Sequence, residues 1–262
     1  MKTTIAVLLL VPFLAMCDET KSEAPPPPSA TQAPAPPPPP PAPPPAPIVT
    51  IKKKLASECK PHPSVVDFTD QADLEQEVRR KLAKDKGDIT PADLGRIKSI
   101  NLANAKIHQI DPCIYPMFTA IKDLFLGSGE YDDLTPLQKL TTMESLRISF
   151  SVVKDLRPIE GLKRMDRLDI SHTLVGDDQF KSVASFVNVT ELMLDETDVS
   201  DITPVAGLKK LERISLKKTR VTSLAPLSQI HTLKFIYIAD TGITDISPIQ
   251  PLMSNGTKLI TN

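Results

Sequence analysis

The sequence predicts an α/β solenoid, with a parallel β-sheet on its concave face, short 3₁₀ or extended returns, and a small helical N-terminal cap. Three observations predict it. A segment recurs at Ile97, Ile121, Met143, Met165, Val189, Leu211 and Leu233; four of the six intervals are 22 residues and two are 24. Each copy has apolar residues at its first, fourth and sixth positions, as in Met143, Leu146 and Ile148 or Leu211, Ile214 and Leu216. Several copies continue with Asp-Ile/Leu-x-Pro-apolar, at Asp133 to Leu137, Asp155 to Ile159, Asp201 to Val205 and Asp245 to Ile249.

The fourth and sixth positions alternate as on a strand, so they point inward while the third, fifth and seventh point outward. One such strand cannot shelter its apolar side alone, and stacking copies side by side does. The ninth position is small, and from Thr173 onward it is Thr (Thr173, Thr197, Thr219, Thr241). Its hydroxyl is placed to satisfy backbone groups of neighbouring turns. Pro in the return excludes a regular helix and favours a tight path. The fourth copy lacks that Pro; Gly176-Asp177-Asp178 leads into Phe180, Val183 and Phe186, which predicts a helical turn there. With 4% aromatics and no Trp, the core has to be built mostly from Leu, Ile and Val.

Ahead of the repeats, Leu74, Val78 and Leu82 recur on one helical face behind an acidic start at Asp70 to Glu75, and Gly87 is expected to end that helix. Thr90-Pro91-Ala92-Asp93 reads as a second helix start, with a capping Thr, Pro at the first turn and Asp three residues on.

The N-terminus reads as a targeting segment. Lys2 precedes an apolar run from Ile5 to Leu14, too short to span a bilayer as a helix. Leu14-Ala15-Met16-Cys17 resembles a bacterial lipobox, which implies an acylated (palmitate-bearing) Cys17 as the mature N-terminus; Met16 departs from the small residue usual there. Fifteen of the 27 prolines lie between Pro25 and Pro47. Such a run favours a polyproline II rod reaching roughly 75 Å over residues 24–47, read as a spacer between membrane and folded part, with a docking site for a Pro-binding partner domain as the alternative. The expected divisions are a signal peptide (1–16), a lipid-anchored, Pro-rich disordered linker (17–60), a helical cap (61–96) and a solenoid of about seven repeats (97–262).

The repeats resemble the bacterial leucine-rich repeat of the internalin type, and Phe68 to Leu94 resembles the helical cap of those proteins. The resemblance covers roughly residues 65–262. It implies a leucine-rich-repeat binding scaffold. Thr in place of the usual Asn at the ninth position is a departure. No immunoglobulin-like module or sorting signal follows before Asn262, so host-cell invasion is not carried over.

A catalytic constellation does not emerge. His62, His108, His172 and His231 are dispersed, and no phosphate loop, nucleophile elbow or zinc-binding helix occurs. Asp132-Asp133 and Asp177-Asp178 read as solvated or backbone-capping groups rather than a calcium site. No enzyme, cofactor or metal is expected. The formal net charge of −1 provides no broad field for nucleic acid.

With Cys17 set aside, Cys59 and Cys113 form an even pair in an oxidising compartment. Cys113 takes a position where other copies carry Leu137, Ile159, Val205, Leu227 and Ile249, so it reads either as a small buried hydrophobe or as a partner of Cys59 tying the cap to the solenoid.

The outward strand positions form the candidate binding face. Phe125, Arg147, Asp169, Met193 and Tyr237 lie in the fifth-position column, and Arg167, Glu191 and Arg213 in the third. Arg and exposed aromatics are the composition of interface anchors. The expected function is a monomeric, membrane-tethered module binding a protein or glycan in the cell envelope, on the periplasmic side or the cell surface. The alternative is a structural envelope spacer.

Overall fold

The computed structural model describes residues 53–61 and 63–262. The signal segment, Cys17, the Pro-rich run and His62 lie outside the described residues.

Helix α1 (Ala72–Leu82) buries Leu74 and Val78, with Leu82 half-buried on the same face. Asp73 and Glu75 occupy its first turn and Arg79, Arg80 and Lys81 its last, each suiting the helix dipole. The expected stop at Gly87 is not where the helix ends. Ala83 takes a left-handed conformation (φ 49°) and its N–H closes on Arg79 and Arg80 carbonyls; Gly87 (φ 86°) shapes the turn beyond. Helix α2 (Pro91–Leu94) begins as expected. Thr90 Oγ1 accepts the Asp93 N–H at 3.3 Å, and the Asp93 carboxylate accepts the Thr90 N–H at 2.9 Å.

Eight strands then form one parallel sheet in sequence order: β1 (Ser99–Asn101), β2 (Asp123–Phe125), β3 (Ser145–Arg147), β4 (Arg167–Asp169), β5 (Glu191–Met193), β6 (Arg213–Ser215), β7 (Phe235–Tyr237) and β8 (Lys258–Ile260). The register from β1 to β7 matches third position to third and fifth to fifth, as the repeat requires. The fourth-position residues Ile100, Leu124, Leu146, Leu168, Leu192, Ile214 and Ile236 are buried throughout, and so are the sixth-position residues from Leu102 to Ile238. Each fully buried aliphatic side chain contributes about 1.5–3 kcal/mol.

Most returns are single 3₁₀ turns carrying a proline, at Pro116, Pro136, Pro158, Pro204, Pro226 and Pro248. The aspartate ahead of four of them explains the recurring Asp-x-x-Pro. Asp133, Asp155, Asp201 and Asp245 each accept the N–H two residues on, at 2.8, 2.9, 2.8 and 2.8 Å. The fourth repeat has its helical turn, α3 (Asp177–Phe180), running into a 3₁₀ segment, with Phe180, Val183 and Phe186 fully buried.

Two further features differ from expectation. The ninth-position hydroxyls of Ser151, Thr173, Thr197, Thr219 and Thr241 donate to the carbonyl three residues earlier in their own repeat, at 2.6–2.8 Å, rather than to a neighbouring turn. The solenoid also closes with helix α4 (Gln250–Ser254) and an eighth strand that the repeat pattern does not announce. Counting back from β8, the first and sixth positions are Gly256 and Thr261, so Leu259 alone keeps the apolar motif.

At the other end, Cys59 and Cys113 are bonded. Lys54 adds a backbone N–H to Gln109 at 2.7 Å and an ion pair to the buried Asp111 at 3.0 Å. Asp111 also accepts the N–H groups of Cys113 and Ile114. Residues 53–60, placed with the linker on sequence grounds, therefore form a strap along the return of the first repeat.

Candidate functional site

The outward third and fifth positions lie side by side because the register is unbroken. Arg147 faces Asp169 across β3 and β4, and Asp169 faces Met193 across β4 and β5. Arg147 Nε donates to Asp169 Oδ2 at 2.8 Å, and Asp169 Oδ1 accepts the Ser171 N–H at 3.0 Å. Arg167 lies 3.9 Å from Asp123 and 3.7 Å from Asp166. Arg213 Nη1 is 3.4 Å from Glu191 Oε1. Arg147 and Arg167 are exposed; Phe125, Asp169, Glu191, Met193, Arg213 and Tyr237 are half-buried. Ion pairs at the surface contribute about 0–1 kcal/mol, and each of these has at least one partner a third or more exposed. A ligand can therefore exchange them for its own contacts at little cost to the fold.

Towards the C-terminal end the face changes character. The Phe235 and Tyr237 rings stack at 6.5 Å and 26°. Arg213 lies 5.3 Å and Lys258 5.9 Å from the Phe235 ring centre, and Lys217 lies 5.7 Å from that of Tyr237. Lys217 also pairs with Asp195 at 3.3 Å, and the buried Ser215 hydroxyl donates to Asp195. Lys217, Lys258 and Asp195 were not singled out by sequence reasoning. Lys258 belongs to the unannounced β8, whereas Lys217 and Asp195 occupy the outward seventh position and were legible there.

A second row was missed outright. The eighth positions Phe150, His172, Glu196, Lys218 and Asp240 all adopt positive φ, between 54° and 62°. Their side chains form a ladder along the strand exits. Phe150 stacks on His172 at 4.0 Å, His172 Nδ1 lies 3.2 Å from Glu196, and Glu196 pairs with Lys218 at 2.6 Å. The hydrogen bond from Lys218 holds the Glu196 carboxyl below the usual carboxylate range.

Burial pushes the Tyr115 and Tyr131 phenols up, away from any role near neutral pH. Among the described residues no group of three His, Cys, Asp or Glu side chains could hold a metal ion. Asp133 and Asp177 serve as backbone caps, Asp177 accepting the N–H groups of Ser200 and Asp201 in the next repeat. No helix among the described residues is long and apolar enough to cross a membrane.

Solved structures share this architecture. Internalin C2 of Listeria monocytogenes is similar over 72% of this chain and 92% of its own, with 25% identity and a TM-score of 0.64. This is an internalin-like leucine-rich-repeat fold. An internalin F structure from the same organism is 19% identical, with a TM-score of 0.62 over 73% of this chain and 62% of its own. A leucine-rich-repeat protein of Leptospira interrogans is 18% identical, with a TM-score of 0.60 over 66% of this chain and 44% of its own. No protein-family model and no curated protein matches the sequence.

Proposed function

We propose that this internalin-like solenoid is a non-catalytic binding module that presents its concave face to a protein partner in the bacterial cell envelope. The observation that carries this reading is the row of outward side chains on β2 to β7. It combines Arg, Met and aromatic anchors with ion pairs weak enough to be exchanged. An unbroken sheet register fixes the spacing of their backbone, so the strands need no reordering on binding. The lipobox-like Leu14 to Cys17 supports tethering through an acyl group on Cys17, with the Pro-rich run as spacer.

The test is crosslinking on intact cells followed by mass spectrometry, comparing the parent with Arg147→Ala/Asp169→Ala/Met193→Ala. The triple variant should keep its melting profile and lose the crosslinked protein. Retention of the same partner would instead favour a spacer. Intact mass of the membrane-extracted chain tests the tether: the parent should carry acyl mass and Cys17→Ser should not.

A further inference from the structure

We propose that the C-terminal third of the concave face is a docking site for an acidic segment of a partner protein, with Phe235 and Tyr237 as its floor and Arg213, Lys217 and Lys258 as its cations. This rests on the concave-face reading above and gives it a chemistry.

The charge on the face is polarised. The third and fifth positions of β2 to β5 include three carboxylates (Asp123, Asp169, Glu191) and two arginines; Arg147 pairs with Asp169 and Arg167 approaches Asp123, while Glu191 faces Arg213 of β6. Those of β6 to β8 are Arg213, Ser215, Phe235, Tyr237, Lys258 and Ile260, with two cations and no carboxylate. Glu191 and Asp195, which approach Arg213 and Lys217, both come from β5 and its exit, on the N-terminal side of the rings. Lys258 is exposed and, among the described residues, lies over a ring rather than against a carboxylate. Arg213 Nε is buried without an acceptor. A partner's carboxylate supplies the counter-charge that Lys258 lacks and can take the place of Glu191 at the Arg213 Nη atoms, while the partner's apolar side chains cover the half-buried rings.

The spacing narrows the shape. Arg213 and Lys258 stand two strands apart in the third column with Phe235 between them, a separation of roughly 10 Å. On a helix, side chains seven residues apart rise about 10.5 Å, and those three and four residues on lie between them. Two glutamates at that interval with apolar residues in the middle would therefore meet both cations and the ring together.

The experiment measures fluorescence anisotropy of the full chain with a labelled Ala- and Gln-based helical peptide. The peptide carries adjacent leucines flanked by two glutamates seven residues apart. Replacing the glutamates by Gln should weaken binding about tenfold, and Lys258→Glu or Phe235→Leu about fivefold. Lys139→Ala, which removes an exposed cation on the return of the second repeat, should leave binding unchanged. Equal binding of the Gln peptide, indifference to Lys258→Glu, or stronger binding of the polyuronate alginate at the same residues overturns the proposal, the last in favour of an acidic glycan. If the peptide fails while the Arg147/Asp169/Met193 variant still loses its crosslinked partner, only this assignment falls. If that variant keeps its partner, the concave-face reading falls with it.

Discussion

A Cβ on Gly129 would lie 1.7 Å from the carbonyl oxygen of Ile107, and one on Gly127 would lie 1.9 Å from that of Ala105. The first two repeats touch backbone to backbone here, with Gly129 bridging Ile107 on one side and Ser151 on the other. Ile107 cannot yield, since it is tied into the bridge through both its N–H and its carbonyl.

Gly129→Ala is therefore expected to cost more than about 3 kcal/mol. Gly161, whose added Cβ would meet nothing within 4 Å, supplies the contrast. Gly161→Ala should be neutral or stabilising by about 0.4–1 kcal/mol. Urea melts of the two variants decide it, and a Gly129→Ala chain as stable as the parent would contradict the close approach.

The Cys59–Cys113 bond closes a separation of 54 residues that contains the whole cap. Restricting the unfolded chain in this way stabilises by about 2–4 kcal/mol. Because each repeat leans only on its neighbours, the loss on removing the bond should stay local. Cys59→Ala/Cys113→Ala should speed amide exchange in the strap, the cap and the first repeat while leaving β4 to β7 protected. Uniform loss of protection along the solenoid would show that the bond acts otherwise.

Acid sensitivity follows from the return-turn aspartates. Hydrogen bonds from Arg157 to Asp155, from Thr203 to Asp201 and from Ser247 to Asp245 hold these carboxyls below the usual value of 3.8. Groups depressed in the folded state contribute stability above their unfolded pKa and lose it as pH falls through the folded one. Stability should therefore decline below about pH 4. Asp155→Asn/Asp201→Asn/Asp245→Asn keeps an acceptor for each turn and should flatten that decline in melts between neutral and acid pH. An unchanged acid limb would assign the sensitivity elsewhere.

Phe150 is 57% exposed and held at φ 62°, a costly conformation for a bulky residue, yet its ring stacks on His172. A double-mutant cycle of Phe150→Ala and His172→Ala leaves the backbone strain in place and isolates the ring contact. The expected coupling is about 0.5–1.5 kcal/mol. A coupling near zero would mean that the rings are adjacent without stabilising the ridge.

The parallel sheet and its register were legible because burial at the first, fourth and sixth positions repeats in the sequence itself. The helical turn of the fourth repeat, from Asp177 to Phe186, was legible for the same reason, as was the Thr90–Asp93 capping box. The outward columns were legible as columns, since alternation assigns Arg147, Asp169 and Met193 to one face. Their pairing was not. Whether Arg167 meets Asp123 or Asp166 depends on rotamers and on the approach of strands from different repeats.

The sequence by itself determined the solenoid, because a short amphipathic segment has no stable state except beside its own copies. Tertiary structure alone decided that Cys59 reaches Cys113 and that Lys258 to Ile260 adds a last strand. It also decided that five non-glycine residues from Phe150 to Asp240 turn left-handed in a line. These depend on contacts between distant segments, where neighbouring coils supply the energy that overrides local preference.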